Sequence, residues 1–351
     1  MFRYIGNKTK LLPAIMQATE DAIGTTGTVV DLMAGTGSVA LEYRRRGYNV
    51  IAADMMSYSK CHLISQLLYD APPQFYGLGD GEDGIFDAPN RYERVLGYLN
   101  SLEPVHGYFF QEFSPNGKPA NGCEPRKYFT SENAAKIDAV REQIRYWTEN
   151  ELISENEASV LKHTLIMAVN KVANISGTYG YYLSSFKGSA LEQFTMLPVP
   201  FDPSTNTRHT ILQGFAEDIS SSITADLCYI DPPYMKRQYA ANYHILETIA
   251  RGDYPEAVGK SGLRDWWDQH SKLCTKTKGL DSFEKILRDM NCPVFLISYS
   301  EDGLFSLDQL QSCFSQFGSV TVKEIDYTRF RSNQSLLPKN IKEYIIRVHK
   351  G

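Results

Sequence analysis

The sequence predicts an open, largely parallel α/β sheet interrupted by a long, mostly helical insert. Short runs rich in Val and Ile recur without apolar–polar alternation, the pattern of strands covered on both faces. Helical patterns lie between those runs, and strand–helix–strand alternation implies a parallel sheet. From about Asp70 to Pro203 that alternation disappears, which marks the insert.

Strands are expected, in order, at "TVVDLM" (28–33), "NVIAA" (49–53), "LCYI" (227–230), "VFLI" (294–297), "SVTV" (319–322) and "YIIRV" (344–348). Between the first two, "SVALEYRRRG" reads as a helix with Ser38 as cap and Gly47 as stop. "SFEKILRDM" and "SLDQLQSCFSQFG" are the later helices. The last two strand runs lie close enough for a hairpin, so an antiparallel edge is expected there. In the insert, "SENAAKIDAVREQIRYW" and "NEASVLKHTLIMAVNKVAN" are helical, and Leu161, Leu165, Val169 and Val172 share one face of the second. The 351 residues are read as an α/β domain from 1–69 and 204–351, split by an inserted domain at 70–203.

Composition narrows the function classes. No apolar run is long enough to span a bilayer, and the N-terminus lacks the basic-then-apolar order of a signal peptide. A cytoplasmic protein without a membrane partner is expected. The six cysteines (Cys61, Cys123, Cys228, Cys274, Cys292, Cys313) are scattered with no CxxC pair, which argues against a zinc site and a disulfide scaffold, so no metal is expected. The net charge of −5 does not announce a nucleic-acid binder, but local stripes matter more than totals. The tail from Lys323 is locally basic, and Arg44-Arg45-Arg46 reads as a solvated face complementing a helix dipole.

"VVDLMAGTGSVA" is a strand, a glycine loop and a helix start. Gly35 and Gly37 let the backbone turn tightly and approach a ligand, and the helix beyond offers free N–H groups. "NVIAAD" ends the next strand at Asp54, placed to accept from ribose hydroxyls. Gly35-x-Gly37-x-x-Ala40 also satisfies the dinucleotide fingerprint, which keeps a nicotinamide-dependent oxidoreductase open. Asp31 weighs against that reading: a carboxylate ahead of the glycines repels a pyrophosphate but suits the amino group of a ligand such as S-adenosylmethionine.

"LCYIDPPYMKRQYAANYH" (227–244) ends a strand at an acid, two prolines and a tyrosine. Exocyclic amino groups of bases are poor nucleophiles, because the lone pair is delocalised into the ring. Two acceptors on the amino hydrogens favour the sp³ form, and the Asp231 carboxylate with the Pro232 carbonyl suits that task. Pro232 and Pro233 leave no N–H to compete. Tyr234 offers a face on which a base can stack. Methyl transfer then needs alignment and electrostatics alone. On duplex DNA it also needs the base flipped out of the stack.

In their order these stretches resemble the adenine-N6 DNA methyltransferases of the alpha or D12 class, with the cofactor motif first, the recognition domain inserted and the catalytic motif last. "RYIGNKTKL" (3–11) is similar to the class's N-terminal motif at Tyr4, Gly6 and Lys8; "FLISYSEDG" (295–303) resembles a later motif near the flipped base, centred on Tyr299. "RKYFTSENAAKIDAVREQI", "VNKVANISGTYGYYLSSF" and the Asp-Pro-Pro-Tyr stretch resemble the methyltransferases of FokI-type restriction–modification systems. The third motif departs from the pattern: "LQGFAED" has Gly214 before Phe215 where an acid is common, with Glu217 and Asp218 as alternatives.

The resemblance implies a Rossmann-like S-adenosylmethionine-dependent methyltransferase sheet with an inserted target-recognition domain. It implies cofactor contacts at Tyr4, Gly6, Lys8, Asp31, Ala34, Gly35, Thr36, Gly37, Asp54, Met55, Phe215 and Asp231. It implies DNA contacts at Asn170, Lys171, Thr178, Tyr179, Tyr243 and Tyr299, and phosphate contacts from Lys236, Arg237 and Tyr239 beside the catalytic turn. Tyr181 and Tyr182 read as packing for at least one of the pair, His244 as a cap or helix-surface residue, and Trp266 with Trp267 as core. The implied partners are double-stranded DNA with a short specific site and a cognate restriction endonuclease, for a monomer from a bacterium, an archaeon or a phage. Methylation of RNA adenine or of a protein glutamine, and an inactive DNA-recognition subunit, stay open as alternatives.

Overall fold

The computed structural model describes residues 6, 8–79, 90–203, 205–236, 238–328 and 340–351. Tyr4 and Arg237 lie outside them. Among the described residues seven strands form one sheet in the order β3-β2-β1-β4-β5-β7-β6. These are β1 (Thr28–Asp31), β2 (Asn49–Asp54), β3 (His209–Gln213), β4 (Leu227–Ile230), β5 (Val294–Ser300), β6 (Gly318–Thr328) and β7 (Asn340–Lys350). The first five pair in parallel. β4 and β5 are buried along their whole length, as expected of apolar runs covered on both faces.

One strand expectation is corrected and another is met. β3, "HTILQ", was not among the predicted runs: it is a half-exposed edge strand and carries polar residues. The expected antiparallel edge is the hairpin of β6 and β7: β6 is outermost and β7 is internal. It lies between β5 and β6, antiparallel to both.

In chain order the helices are α1 (Leu12–Ile23), α2 (Ser38–Arg45), α3 (Ser57–Leu67), α4 (Arg91–Ser101), α5 (Tyr108–Phe113), α6 (Ser131–Glu149), α7 (Glu155–Val172), α8 (Ala216–Ile219), α9 (Tyr239–Asn242), α10 (His244–Arg251), α11 (Gly279–Asp289) and α12 (Leu307–Phe314). α2 packs on β1 and β2, α1 on β5, and α12 on β6. Phe283, Ile286 and Leu287 of α11, with Met290 just beyond it, join Val30, Cys228, Phe295 and Ile346 in one core. Alternation along the strands sends Asp31, Tyr229, Ser298 and Ser300 to the opposite face. Gly37, in place of Ser38, caps α2. Arg44 is buried and so is no part of a solvated face, whereas Arg46 pairs with Glu20 at 2.5 Å and Glu42 at 2.9 Å.

The chain divides into two compact units. The sheet unit comprises Gly6–Leu63, Ser204–Tyr239 and Gln269–Gly351; the helical unit includes Ile64–Pro203 and Ala240–Asp268. The sequence places all of 204–351 with the sheet. Residues 240–268 instead cluster with the helices, because α10 packs on α7 and Arg126 reaches the carbonyls of Ala257, Gly259 and Lys260. Arg126 is fully buried and pairs with Glu112 at 2.6 Å, so its guanidinium donors are spent inside the unit. Leu161, Leu165, Val169 and Val172 are all buried, and a capping box of Ser154 and Glu157 starts α7. Asp138 accepts the Phe109 and Phe110 backbone N–H groups at 2.8 Å each, satisfying the start of α5.

Candidate active site

The strand order reverses between β1 and β4: β2 and β3 extend from one side, β5 from the other. Ligands of open parallel sheets bind at the carboxyl ends beside such a reversal. Asp31 closes β1, Asp54 closes β2, and Asp231 follows the last residue of β4.

The glycine loop is held by Asp54. Its Oδ2 accepts from Gly35 N at 2.8 Å and its Oδ1 from Met56 N at 2.8 Å. Gly35 and Gly37 have φ of 54° and 78°, left-handed values that a side chain disfavours. Ala34 N donates to Ala53 O and Gly37 N to Ala34 O, so the turn is tight. Asp31 Oδ2 accepts from Ala40 N at 3.0 Å, inside α2. Burial holds the Asp31 carboxyl well above the usual carboxylate range, and the nearby Asp231 and Asp54 charges add to this. After β3, Gly214 N donates to the Asp54 carbonyl, which places half-buried Phe215 beside the end of β2. Glu217 is buried 3.6 Å from Lys272, and Asp218 is exposed.

The Asp-Pro-Pro-Tyr turn closes on itself. The Tyr234 hydroxyl donates to Asp231 Oδ1 at 2.7 Å. Lys8 Nζ donates to the Tyr234 hydroxyl, lies 4.5 Å from its ring centroid and 3.4 Å from Asp231 Oδ1. Burial raises the Asp231 carboxyl, while Lys8 and Tyr234 oppose the shift. Pro232 is buried, and Leu304 N donates to the Tyr234 carbonyl at 3.0 Å, pinning the turn to the loop after β5.

Tyr299, on β5, stands edge-on behind Tyr234 with centroids 5.2 Å apart. Its hydroxyl accepts from Phe305 N at 3.2 Å. The loop fits because residue 303 is glycine: a Cβ there would lie 2.1 Å from the Tyr299 ring.

Residues 4–308 match the description of the D12 class N6 adenine-specific DNA methyltransferases. The chain belongs to this family. It is 33% identical over 335 residues to the type II methyltransferase M.NlaIII of Neisseria lactamica, across 95% of this chain and 93% of that one. It is 33% identical to the type II methyltransferase M.FokI of Planomicrobium okeanokoites, across 99% of this chain and 52% of that one, so it spans about half the length of M.FokI. It is 30% identical to the type II methyltransferase M.CviAII of Paramecium bursaria Chlorella virus 1, across 99% of this chain and 98% of that one.

The seven strands are thus the Rossmann-like sheet of a D12 methyltransferase. Its sheet unit brings Lys8, Asp31, Asp231, Tyr234 and Tyr299 into contact or electrostatic reach of one another. Gly6 approaches the Tyr239 hydroxyl, and Met55 accepts from Gln269 at 3.2 Å. Lys236 is exposed after the turn, and Thr36 is half-buried.

Several expected DNA contacts of this methyltransferase are instead buried. Asn170, Tyr179, Tyr243 and Tyr299 are each at most 2% exposed, so their side chains do not present a surface to a duplex. Tyr179 and Tyr243 pack against each other, and the Tyr179 carbonyl accepts from Tyr128 and faces His244 Nε2 at 3.0 Å. Lys171 is exposed but paired with Glu192 at 2.9 Å, and Thr178 is half-buried. Tyr182 packs on Tyr128, while Tyr181 is exposed. His244 is neither cap nor surface: it is fully buried, and burial pushes its imidazole down to about 3. Trp267 is exposed and stacked on Trp266, which corrects the core reading.

Sequence reasoning missed Glu343 of β7, whose Oε2 lies 3.5 Å from Lys8 Nζ. The available signal was a lone acid in "KEYIIRV", on the same strand face as buried Ile345.

Proposed function

We propose that this DNA adenine-N6 methyltransferase uses S-adenosylmethionine, flips the target adenine, and holds its amino group between the Asp231 carboxylate and the Pro232 carbonyl. The observation carrying this reading is the half-buried Asp231 at the end of β4, next to Asp31 at the strand-order reversal. Asp231 and Pro232 accept the two amino hydrogens, which turns the nitrogen lone pair out of conjugation. Tyr234 stacks on the adenine ring and is itself backed by Tyr299.

The residues suit this cofactor. Burial, with the charges of Asp231 and Asp54, raises the Asp31 carboxyl, and this concentration of acids is one that a cation relieves. S-adenosylmethionine carries an ammonium and a sulfonium, and when bound supplies an electrophilic methyl group. Asp31, the loop from Ala34 to Gly37, Asp54, Met55 and Phe215 are assigned to hold it, with Tyr4 and Gly6 from the N-terminal motif. Lys8 sits with the catalytic acid and steadies the turn.

The helical unit is assigned to target recognition, with Lys171 and Thr178 as its surface contacts; Lys236, Arg237 and Tyr239 are assigned to phosphates beside the pocket. Relatives carrying the name type II methyltransferase support a role as the modification enzyme of a restriction–modification system; a monomeric state and a cognate endonuclease are part of the proposal.

The test is methyl transfer from labelled S-adenosylmethionine to unmethylated mixed-sequence duplex DNA, with RNA and protein as competing acceptors. Label on adenine N6 of DNA, lost in Asp231→Ala while cofactor binding persists, is expected. Transfer surviving in Asp231→Ala would overturn the assignment.

A further inference from the structure

Glu343 is an acid in a place that disfavours one. It lies within β7, paired in register with Ser300 of β5, and is 6% exposed. Burying a carboxylate costs several kcal/mol unless it is paired and hydrogen-bonded. Lys8 supplies the charge: its Nζ is 3.5 Å from Glu343 Oε2 and 3.4 Å from Asp231 Oδ1. Both separations exceed the roughly 2.7–2.9 Å of a charge-assisted hydrogen bond. The ammonium is therefore centred between two carboxylates and bonded fully to neither. Glu343 Oε2 accepts no hydrogen bond among the described residues.

This arrangement bears on how Asp231 works. An acid that must accept an amino hydrogen from the substrate cannot be saturated by a lysine. With Asp231 as its only counter-ion, buried Lys8 would compete with adenine for the same oxygen. A second carboxylate, with an open acceptor aimed at the ammonium, removes that competition. We propose that Glu343 is a positioning residue for methyl transfer: it takes up the Lys8 ammonium as Asp231 turns to the adenine amino group. The proposal rests on the reading of Asp231 as the amino-group acceptor. Lys8 and Asp231 touch the reacting region, while Glu343 acts through Lys8.

The test is a four-way comparison of single-turnover methyl transfer to unmethylated mixed-sequence duplex DNA by wild type, Glu343→Gln, Lys8→Met and the double variant. Glu343→Gln is expected to slow transfer about 10–100-fold while KM for DNA and cofactor change less than about threefold. In the Lys8→Met background the same substitution is expected to change the rate by less than about threefold, because its target is gone. A Glu343→Gln rate within about twofold of wild type overturns the proposal, and so does an equal loss with and without Lys8. Should the glutamine variant fail to fold, Glu343→Asp replaces it in the same comparison: it keeps the charge, so it should recover part of the rate only while Lys8 is present. Transfer abolished by Asp231→Ala but unaffected by Glu343→Gln removes this proposal alone, whereas transfer surviving Asp231→Ala removes the reading beneath it.

Discussion

The Tyr234 hydroxyl donates to Asp231 Oδ1 at 2.7 Å, so the acid assigned to the substrate amino group is already engaged within its own turn. The adenine must displace a neutral donor. A net hydrogen bond to an ionised acceptor is worth about 1.5–3 kcal/mol. Tyr234→Phe, which keeps the ring, should therefore alter single-turnover transfer by no more than about a hundredfold. Tyr234→Ala also loses the stacking face and should cost a further factor of roughly 10–100. Equal losses in the two variants would show that the hydroxyl, and not the ring, carries the function.

The pH dependence of transfer follows from Asp231, which is a strong acceptor only when ionised. Burial raises its pKa and the Lys8 ammonium lowers it. Acidification should therefore abolish transfer at a higher pH than for an exposed carboxylate. Lys8→Met removes the opposing charge, so the acid limb of its rate profile should move to still higher pH. Movement to lower pH would exclude Asp231 as the titrating group.

Asp54 braces the glycine loop through Gly35 N and Met56 N. Asp54→Ala should weaken S-adenosylmethionine binding by roughly 10–100-fold in calorimetry, through two lost charge-assisted hydrogen bonds and a loosened loop. Unchanged affinity would place the cofactor elsewhere.

Gly303→Ala drives a methyl group into the Tyr299 ring, 2.1 Å away. Overpacking of this kind costs about 1–3 kcal/mol, so the variant should melt lower and also lose transfer as Tyr234 shifts with Tyr299. A wild-type melting temperature would mean that the loop yields freely.

In the helical unit, burial pushes the Asp138 carboxyl up to about 6, against a reference of about 3.9 in an unfolded chain. The folded state thus binds more protons between those values, and this residue's contribution to stability falls as pH rises through that window. Asp138→Ala should abolish that slope. It should also destabilise the unit by about 2–5 kcal/mol in denaturant titrations, since Phe109 N and Phe110 N lose their acceptor.

The central strands and catalytic turn were legible because their signals are local: an unbroken apolar run, then a residue type that ends it. β1, β2, β4 and β5 announce themselves this way. β3 does not, because an edge strand tolerates His209, Thr210 and Gln213. Chemistry was also more legible than orientation. "NKVANISGTYG" contains residues suited to DNA, yet the fold turns Asn170 and Tyr179 inward. Glu343 escaped notice because its partner, Lys8, lies 335 residues away, and no spacing rule reaches that far.

The internal position of β7 has a consequence for the order of events during translation. A nascent polypeptide that has emerged only through β6 already carries the glycine loop and the Asp-Pro-Pro-Tyr turn, but β5 and β6 do not touch without the strand between them. Glu343, the second carboxylate beside Lys8, would also still be inside the ribosome. Until the β7 segment has emerged, β5 and β6 stay unjoined and Lys8 lacks its neighbour Glu343.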